Sequence, residues 1–343
     1  MCSNGATPTG NTPNITINNL SKSGTSCYLY FDEYNPYAAR EILLSNYSAL
    51  LTRTDFSNVI TNAVSETIYY ADTNNGRTYY FAGNPTDNWV KFAGFWWRII
   101  RINEDGTIRI IYQGTSANTI GTGTQTTTST FNSSSSNNMY VGYMYKNGQV
   151  YGLQDSSIIK EALDSWYNTN LLNMTDKIDG NAGFCGDRMP STSSGNINGN
   201  GGIGTTTTYY GGYIRMITNK TPSFECANNE DLYTANDSNL GNKALIYPIG
   251  LISADEITFA GGVYGINNNG YYLYTNSNYW TMSPSIFGPS GSAGNFYVNS
   301  DGQLADNWVY FTYDVRPVIN LKANVQLTGS GTSTDPYVVV GAE

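Results

Sequence analysis

One segment near residue 100 limits more than any other the folds that this chain can adopt. Phe95–Ile102 is dominated by apolar and aromatic residues, residues 103–106 (NEDG) have the composition of a tight turn, and residues 107–113 form the returning strand. Because neighbouring side chains of a strand point to opposite faces, Trp96 and Trp97 place large apolar groups on both faces. The sequence therefore predicts a β-hairpin whose first strand is central and covered on both sides, with its tryptophans in the core.

Two longer helices are expected among the strands. Asn35 is a suitable N-cap before Pro36 at the first helical position, and an apolar stripe follows. In residues 156–172, apolar side chains recur at spacings of three and four, and either Asp155 or Ser156 can cap the helix. We interpret the first of these segments as a packing helix or linker and not as a site.

Further elements are expected towards the C-terminus. Residues 209–217 and 244–252 are predicted to be strands, and residues 325–340 a terminal hairpin. Ser253 and Glu256 have the spacing of a capping box at the start of a short helix. The acidic pair in the first turn of that helix is interpreted as helix-stabilising and not as catalytic, because negative charge is favourable at a helix N-terminus.

This mixture of helices and many short strands predicts the α+β fold class. Residues 1–31 are expected to form a small β module like the end of an immunoglobulin-like repeat, either truncated or packed on its neighbour, because two or three strands are too few to bury a core alone. Residues 32–67 are expected to be a helical linker. Residues 68–343 are expected to form the main domain, which contains long loops and ends in the terminal hairpin.

Charge and composition exclude several classes of function. Charged residues make up 13% of the chain and the net charge is −9, with no basic run, so neither nucleic acid nor an anionic membrane is expected as the partner. There is no histidine, which removes the usual general base and every Ser-His or Cys-His nucleophile pair. The sequence also lacks a phosphate loop and a nucleophile elbow. We therefore expect a protein that is not an enzyme and has no organic cofactor.

The cysteines point to an oxidising compartment. Four are present, none in a C-x-x-C pair, and we favour bonds between Cys2 and Cys27 and between Cys185 and Cys226, because each pair brackets a loop-rich stretch. Free buried thiols are the alternative. Met1 is followed by polar residues and not by the apolar core of a signal peptide. We expect an extracellular or cell-surface protein, anchored through a segment outside this sequence.

An aromatic and Asn-rich stretch lies between two well-specified segments near the C-terminus. Residues 279–284 (YWTMSP) open this insert and residues 315–321 (VRPVINL) close it. Between them, Tyr, Phe, Trp, Asn and Asp are frequent and Lys and Arg are absent. Rigid aromatic rings together with adaptable carboxamides are typical of binding loops. Arg316, in the closing segment, is interpreted as a structural residue.

The two segments and the aromatic, Asn-rich insert between them resemble the C-terminal part of C-type-lectin-like proteins. These include the variable proteins that bacterial and phage retroelements diversify and related surface proteins of gut bacteria. The resemblance implies a C-type-lectin-like domain in which the two segments are scaffold and the insert is an exposed binding face. Retroelement mutagenesis acts on adenines, and the insert is rich in the residue types that altered Asn codons encode. The binding face implied by the resemblance consists of Ser285, Ile286, Phe287, Asn295, Tyr297, Asp306, Asn307, Tyr310, Tyr313 and Asp314.

Two activities known from proteins with this scaffold are not expected here, because the residues they need are missing. The formylglycine-generating enzymes share this scaffold but need a close cysteine pair near the closing segment, and no cysteine follows Cys226. Calcium-dependent lectins use a Glu/Gln-Pro-Asn motif and a Trp-Asn-Asp triplet. Here the triplet is reversed, in residues 306–308, and the first motif is missing, although Asn/Asp-rich loops could hold a structural calcium ion.

The sequence therefore predicts a non-enzymatic surface protein that binds an unknown protein or glycan ligand. One alternative is a pilus or fibre subunit whose Tyr/Asn surface makes subunit contacts. The other is an enzyme working through carboxylates, such as a glycosidase, for which the sequence offers no convincing acid pair.

Overall fold

The computed structural model describes residues 7–11, 14–18, 39–117, 119–191, 201–236 and 240–343. The chain divides into two compact units, Met1–Pro36 and Tyr37–Glu343. In the first unit, β1 (Thr7–Asn11) pairs with β2 (Asn14–Asn18) in an antiparallel ladder. The predicted pairing of Cys2 with Cys27, the strand predicted at residues 27–31 and the helix cap at Asn35 lie outside the described residues.

The second unit combines a few helices with many short strands, which confirms the α+β class. Its helices are α1 (Ala39–Ser45), α2 (Ile158–Asn170), α3 (Gly211–Tyr213) and α4 (Ala254–Phe259). Short 3-10 turns occur at Gly121–Thr124, Asn138–Val141, Leu172–Met174 and Asn229–Asp231, and α3 continues into a π-helix, Ile214–Asn219. The strands are β3 (Ala49–Leu51), β4 (Thr67–Thr73), β5 (Gly76–Tyr80), β6 (Trp89–Phe92), β7 (Phe95–Ile102), β8 (Ile108–Gly114), β9 (Thr127–Thr130), β10 (Met144–Tyr145), β11 (Asp155–Ser156), β12 (Phe184–Cys185), β13 (Thr208–Tyr209), β14 (Leu232–Tyr233), β15 (Tyr279–Phe287), β16 (Ala293–Val298), β17 (Leu304–Trp308), β18 (Thr312–Val315), β19 (Val318–Leu321), β20 (Leu327–Thr328) and β21 (Tyr337–Val339).

Two large sheets organise this unit. Sheet I has the strand order β20-β21-β6-β7-β5-β4-β3, with β8 between β7 and β19. Sheet II has the order β17-β16-β15-β18-β9, with β13 added on β15. The predicted hairpin is confirmed as β7 and β8, and Trp97 within it is fully buried, so it is a core residue as predicted. Trp89 on the neighbouring strand is buried as well, whereas Trp96 is only partly buried.

The second unit begins inside the segment that the sequence predicts to be a helical linker. Within that segment lie α1 and β3, and β3 pairs in parallel with β4 at the edge of sheet I. At the other end of the chain, the predicted terminal hairpin is confirmed as β20 and β21, and β21 also pairs in parallel with β6. Both chain ends of this unit are thus joined to the same sheet.

The helix predictions hold with small changes at the ends. The N-cap of α2 is Ser157, whose side chain accepts a hydrogen bond from the Lys160 backbone N–H, while the predicted caps Asp155 and Ser156 form β11. The capping box of α4 is confirmed, since Ser253 accepts from the Glu256 backbone and Glu256 accepts from the Ser253 backbone.

Two strand predictions were wrong. In residues 209–217, only Tyr209 belongs to a strand, Tyr210 makes an isolated bridge to Pro190, and residues 211–217 lie in α3 and the π-helix. The Gly211–Gly212 pair allows this turn to pack closely, because a Cβ on Gly212 would lie 2.8 Å from Oδ2 of Asp187. Residues 244–252 contain no named strand and only a single bridge, from Gly250 to Val318. Pro248 has no N–H to donate to a ladder, which disfavours a strand there.

The bond between Cys185 and Cys226 is present, as predicted from the spacing. It ties β12 to the segment that follows the π-helix. It also anchors one end of the long loop expected at residues 180–208, of which residues 192–200 lie outside the described part of the chain.

Candidate functional site

The two segments that enclose the insert are scaffold. Residues 279–284 lie in β15, where Trp280 is fully buried, and the closing segment runs from the end of β18 into β19. The Arg316 side chain is fully buried and donates hydrogen bonds to the backbone oxygens of Tyr112 and Leu273 and to Oε1 of Gln113. The structural role predicted for Arg316 is therefore confirmed.

Four of the ten residues assigned to the binding face are buried, so we correct that assignment. Ser285 and Asn295 have no exposed surface, Phe287 has 1% and Asp314 has 5%. The alternation of a strand places Asn295 on the same face as Tyr297, but the 3-10 turn Asn138–Val141 covers it, and Asn295 Nδ2 donates to the Val141 oxygen. These four side chains cannot touch a ligand in this conformation.

The other six residues reach the surface. Tyr310 is exposed, and the remaining five are partly exposed; they are Ile286, Tyr297, Asp306, Asn307 and Tyr313. Strands β16, β17 and β18 supply most of them, so the backbone ladder of sheet II fixes their positions. Tyr310 lies in the turn between β17 and β18, which a hydrogen bond from the Phe311 N–H to the Trp308 oxygen closes.

The rings of three of these residues and of the neighbouring Phe311 form a continuous surface. We call it the aromatic platform; it consists of Tyr297, Tyr310, Phe311 and Tyr313. Tyr297 and Tyr313 are stacked with centroids 4.6 Å apart, Tyr313 and Phe311 are nearly parallel at 6.4 Å, and Phe311 stacks on Tyr310 at 4.9 Å. Trp280 lies beneath, 4.8 Å from the ring of Tyr313. Tyr310 and Phe311 keep 44% and 41% of their surface exposed.

A polar side chain on each face of β17 is fixed by a tyrosine. On the face of the platform, Asn307 Nδ2 donates to the Tyr313 hydroxyl at 2.6 Å. On the opposite face, the Tyr264 hydroxyl donates to Oδ1 of Asp306 at 2.6 Å. Burial, together with the neighbouring Tyr313, raises the pKa of Tyr297, and burial together with Asp306 raises the pKa of Tyr264. Both phenols are therefore protonated at neutral pH and can donate hydrogen bonds.

Sequence reasoning left Phe311 out of this site and did not foresee the partner of Asp306. Phe311 lies within the insert, and its place beside Tyr310 in the aromatic run of residues 308–313 was the available signal. Trp280 supports the platform from the opening segment. Tyr264 comes from a distant loop, and no local pattern links it to Asp306.

Neither a metal site nor a membrane span is found in the described part of the chain. There, no group of three or more Cys, Asp or Glu side chains is arranged to hold a metal ion. None of the helices in those ranges has the length and apolar character needed to cross a bilayer.

Comparisons of the chain with protein-family models, with curated proteins and with solved structures gave no match. The candidate site consequently rests on its own geometry.

Proposed function

We propose that this chain is a non-enzymatic extracellular or cell-surface binding protein that holds its ligand on the aromatic platform. The observation that carries the proposal is the row of parallel rings from Tyr297 to Tyr310, ending in two neighbouring rings that are each more than 40% exposed. Clustered exposed aromatic surface is uncommon on soluble proteins and marks interaction sites.

Rigidity supports this role. Tyr297 lies in β16 and Tyr313 in β18, which both pair with β15. The two rings stack on each other, and Asn307 donates a hydrogen bond to the Tyr313 hydroxyl. Rings that are already ordered lose little entropy when a ligand binds, so more of the contact energy appears as affinity. Tyr and Trp are also the residue types that most often dominate binding energy at interfaces.

The ligand class follows from the mixture of groups. Ring faces suit apolar side chains of a protein or the C–H face of a sugar, while Asn307, on the same face of the sheet, provides a hydrogen-bonding group at the border. The resemblance to C-type-lectin-like proteins supports both the binding role and a C-type-lectin-like arrangement of sheet II. It also supports diversification by a retroelement. In that case, sequencing of the native locus should find substitutions at Ile286, Asn307 and the exposed ring positions, and few at the buried Asn295.

The test begins with a screen of the whole chain against a glycan array and a displayed protein library. For each ligand found, we expect the double substitution Tyr310→Ala and Phe311→Ala to weaken binding by about 30-fold or more, because these rings are the most exposed part of the platform. Ile246→Ala is the matched control, since Ile246 is 75% exposed and lies outside the insert. Undiminished binding by the double variant, with folding unchanged by circular dichroism, would overturn the proposal.

The fibre-subunit alternative gives a different outcome in the same experiment. Exposed rings would then pair between copies of the chain, so the wild type would form filaments as its concentration rises and the double variant would stay monomeric. Light scattering and electron microscopy separate this result from ligand binding by a monomer.

A further inference from the structure

A cleft of about 620 Å³ lies apart from the aromatic platform, within the second unit. It is lined by residues from β7, β8, β12, the π-helix, α4 and the middle of β15, and the Cys185–Cys226 disulfide forms part of its wall. Its volume is in the range of small-molecule sites. None of the residues assigned to the binding face lines it.

The guanidinium groups of the cleft are already occupied by carboxylates. Arg109 Nε lies 2.6 Å and Arg101 Nε 3.0 Å from Oε1 of Glu256. Arg215 donates to both oxygens of Asp255, at 2.8 and 2.9 Å, and to Oδ2 of Asp187 at 2.6 Å. Their positive charge is thus largely compensated inside the protein.

The carboxylates of the cleft outnumber its guanidinium groups. Six carboxylates and three guanidinium groups line the cleft, so the lining is net negative when all are ionised. In the described part of the chain, the only hydrogen bond to the Asp187 carboxylate comes from Arg215 and reaches Oδ2. Asp187 is 6% exposed and has a left-handed backbone with φ of 50°, a conformation that Asp tolerates better than most residues.

Asn103 gives an independent observation. It lines the cleft, is 5% exposed, and uses its Nδ2 to donate to Oγ1 of Thr107 and to Oδ1 of Asn320. Its Oδ1 finds no donor in the described part of the structure. A buried acceptor without a partner is costly, so an amide oxygen without a donor, on a residue that lines a cavity, points to a donor supplied from outside.

We infer that this cleft is a second binding site, for a ligand carrying an ammonium or guanidinium group, such as a lysine or arginine side chain of a peptide. The ligand's N–H groups would be accepted by Asp187 and by Oδ1 of Asn103, while its aliphatic part would lie against Met282 and Leu251 on the cleft wall. An anionic ligand is disfavoured by the net negative lining. A bound cation also offsets the burial that raises the pKa of Asp187 to about 6.

The probe is Nα-acetyl-lysine methylamide, compared with the uncharged norleucine analogue, on the full chain by calorimetry and NMR. We expect the lysine probe to bind, the norleucine probe not to bind, and the side-chain amide signals of Asn103 to shift. Asp187→Asn should weaken binding on the order of tenfold or more, because a hydrogen bond to a charged acceptor is lost. Asp335→Asn makes the same charge change on an exposed turn outside the cleft and should bind like the wild type.

Other outcomes overturn the inference. Equal binding of the two probes, an unchanged affinity in Asp187→Asn, tighter binding of an uncharged disaccharide, or no binding of the lysine probe up to its solubility limit would each do so. Phe311→Ala should leave binding of the lysine probe unchanged. The proposal for the cleft and the proposal for the aromatic platform are therefore tested independently.

Discussion

At the scale of the residue, composition identifies candidate side chains but not their burial. Tyr297, Tyr310 and Tyr313 were assigned to a binding face from the sequence, and all three reach the surface. Asn295, assigned in the same way, is buried because residues more than 150 positions earlier in the chain cover it. Strand alternation gives the side of a sheet on which a residue lies, whereas what packs over that side depends on contacts that no local pattern encodes.

Asp187 gives a pH dependence of stability whose sign follows from burial. Burial raises the pKa of its carboxyl to about 6, with Arg215 opposing the rise and Asp255 and Asp231 adding to it, while the unfolded chain has about 3.9. The folded state therefore binds the extra proton between these two values. The contribution of Asp187 to stability is largest below about pH 4 and is lost as pH rises through about 6.

We accordingly expect Asp187→Asn, which cannot ionise, to gain stability relative to the wild type as pH rises from about 4 to 7, by up to about 3 kcal/mol. Urea denaturation of both proteins at intervals across this range measures the difference. Asp335→Asn is the charge-matched control and should follow the wild-type curve. A difference between Asp187→Asn and the wild type that does not change with pH contradicts the assignment.

At the scale of the element, periodicity was reliable for α2 and for the hairpin of β7 and β8, because each buries a long, regular set of apolar side chains. The exact cap of α2 was missed by one residue. Three consecutive candidates, Asp155, Ser156 and Ser157, all have capping side chains, and the pairing of β11 with β10 takes the first two out of the helix. Where apolar residues lie beside Gly or Pro, as in residues 209–217 and 244–252, packing decides the outcome and local propensity does not.

Ser157 is predicted to hold the start of α2. Its Oγ accepts from the Lys160 N–H and donates to the Tyr143 oxygen at 2.8 Å, and the residue is fully buried. Ser157→Ala leaves the Lys160 N–H without its capping partner, while the Tyr143 oxygen keeps only the hydrogen bond from the Ser157 backbone N–H. We therefore expect a loss of about 1 to 2 kcal/mol in the free energy of unfolding. Ser165→Ala, on the exposed side of the same helix, should be neutral or slightly stabilising. Equal effects of the two substitutions in chemical denaturation would show that the cap contributes nothing.

At the scale of the whole molecule, the α+β class could be predicted from the sequence but the sheet order could not. The main sheets depend on pairings between distant segments, such as β21 with β6 and β19 with β8. Such pairings, and the contacts that enclose the cleft around Asp187 and Asn103, join residues far apart in the sequence. Short patterns in one sequence do not reveal such long-range contacts. The aromatic platform could therefore be predicted in part from the sequence, and the cleft could not.

The Cys185–Cys226 disulfide is expected to stabilise the whole second unit. It closes a loop with a sequence separation of 41 residues, and restricting a loop of that length in the unfolded chain is worth about 4 kcal/mol in the chain-entropy model. We therefore expect the double variant Cys185→Ser and Cys226→Ser to unfold at clearly lower denaturant than the wild type, and the lysine probe to bind it more weakly, since both cysteines line the cleft. The double variant Cys2→Ser and Cys27→Ser is measured for comparison, because it removes two cysteines that lie outside the second unit. Equal midpoints for the wild type and the Cys185/Cys226 variant, measured without reductant, would mean that the bond does not hold the unit together.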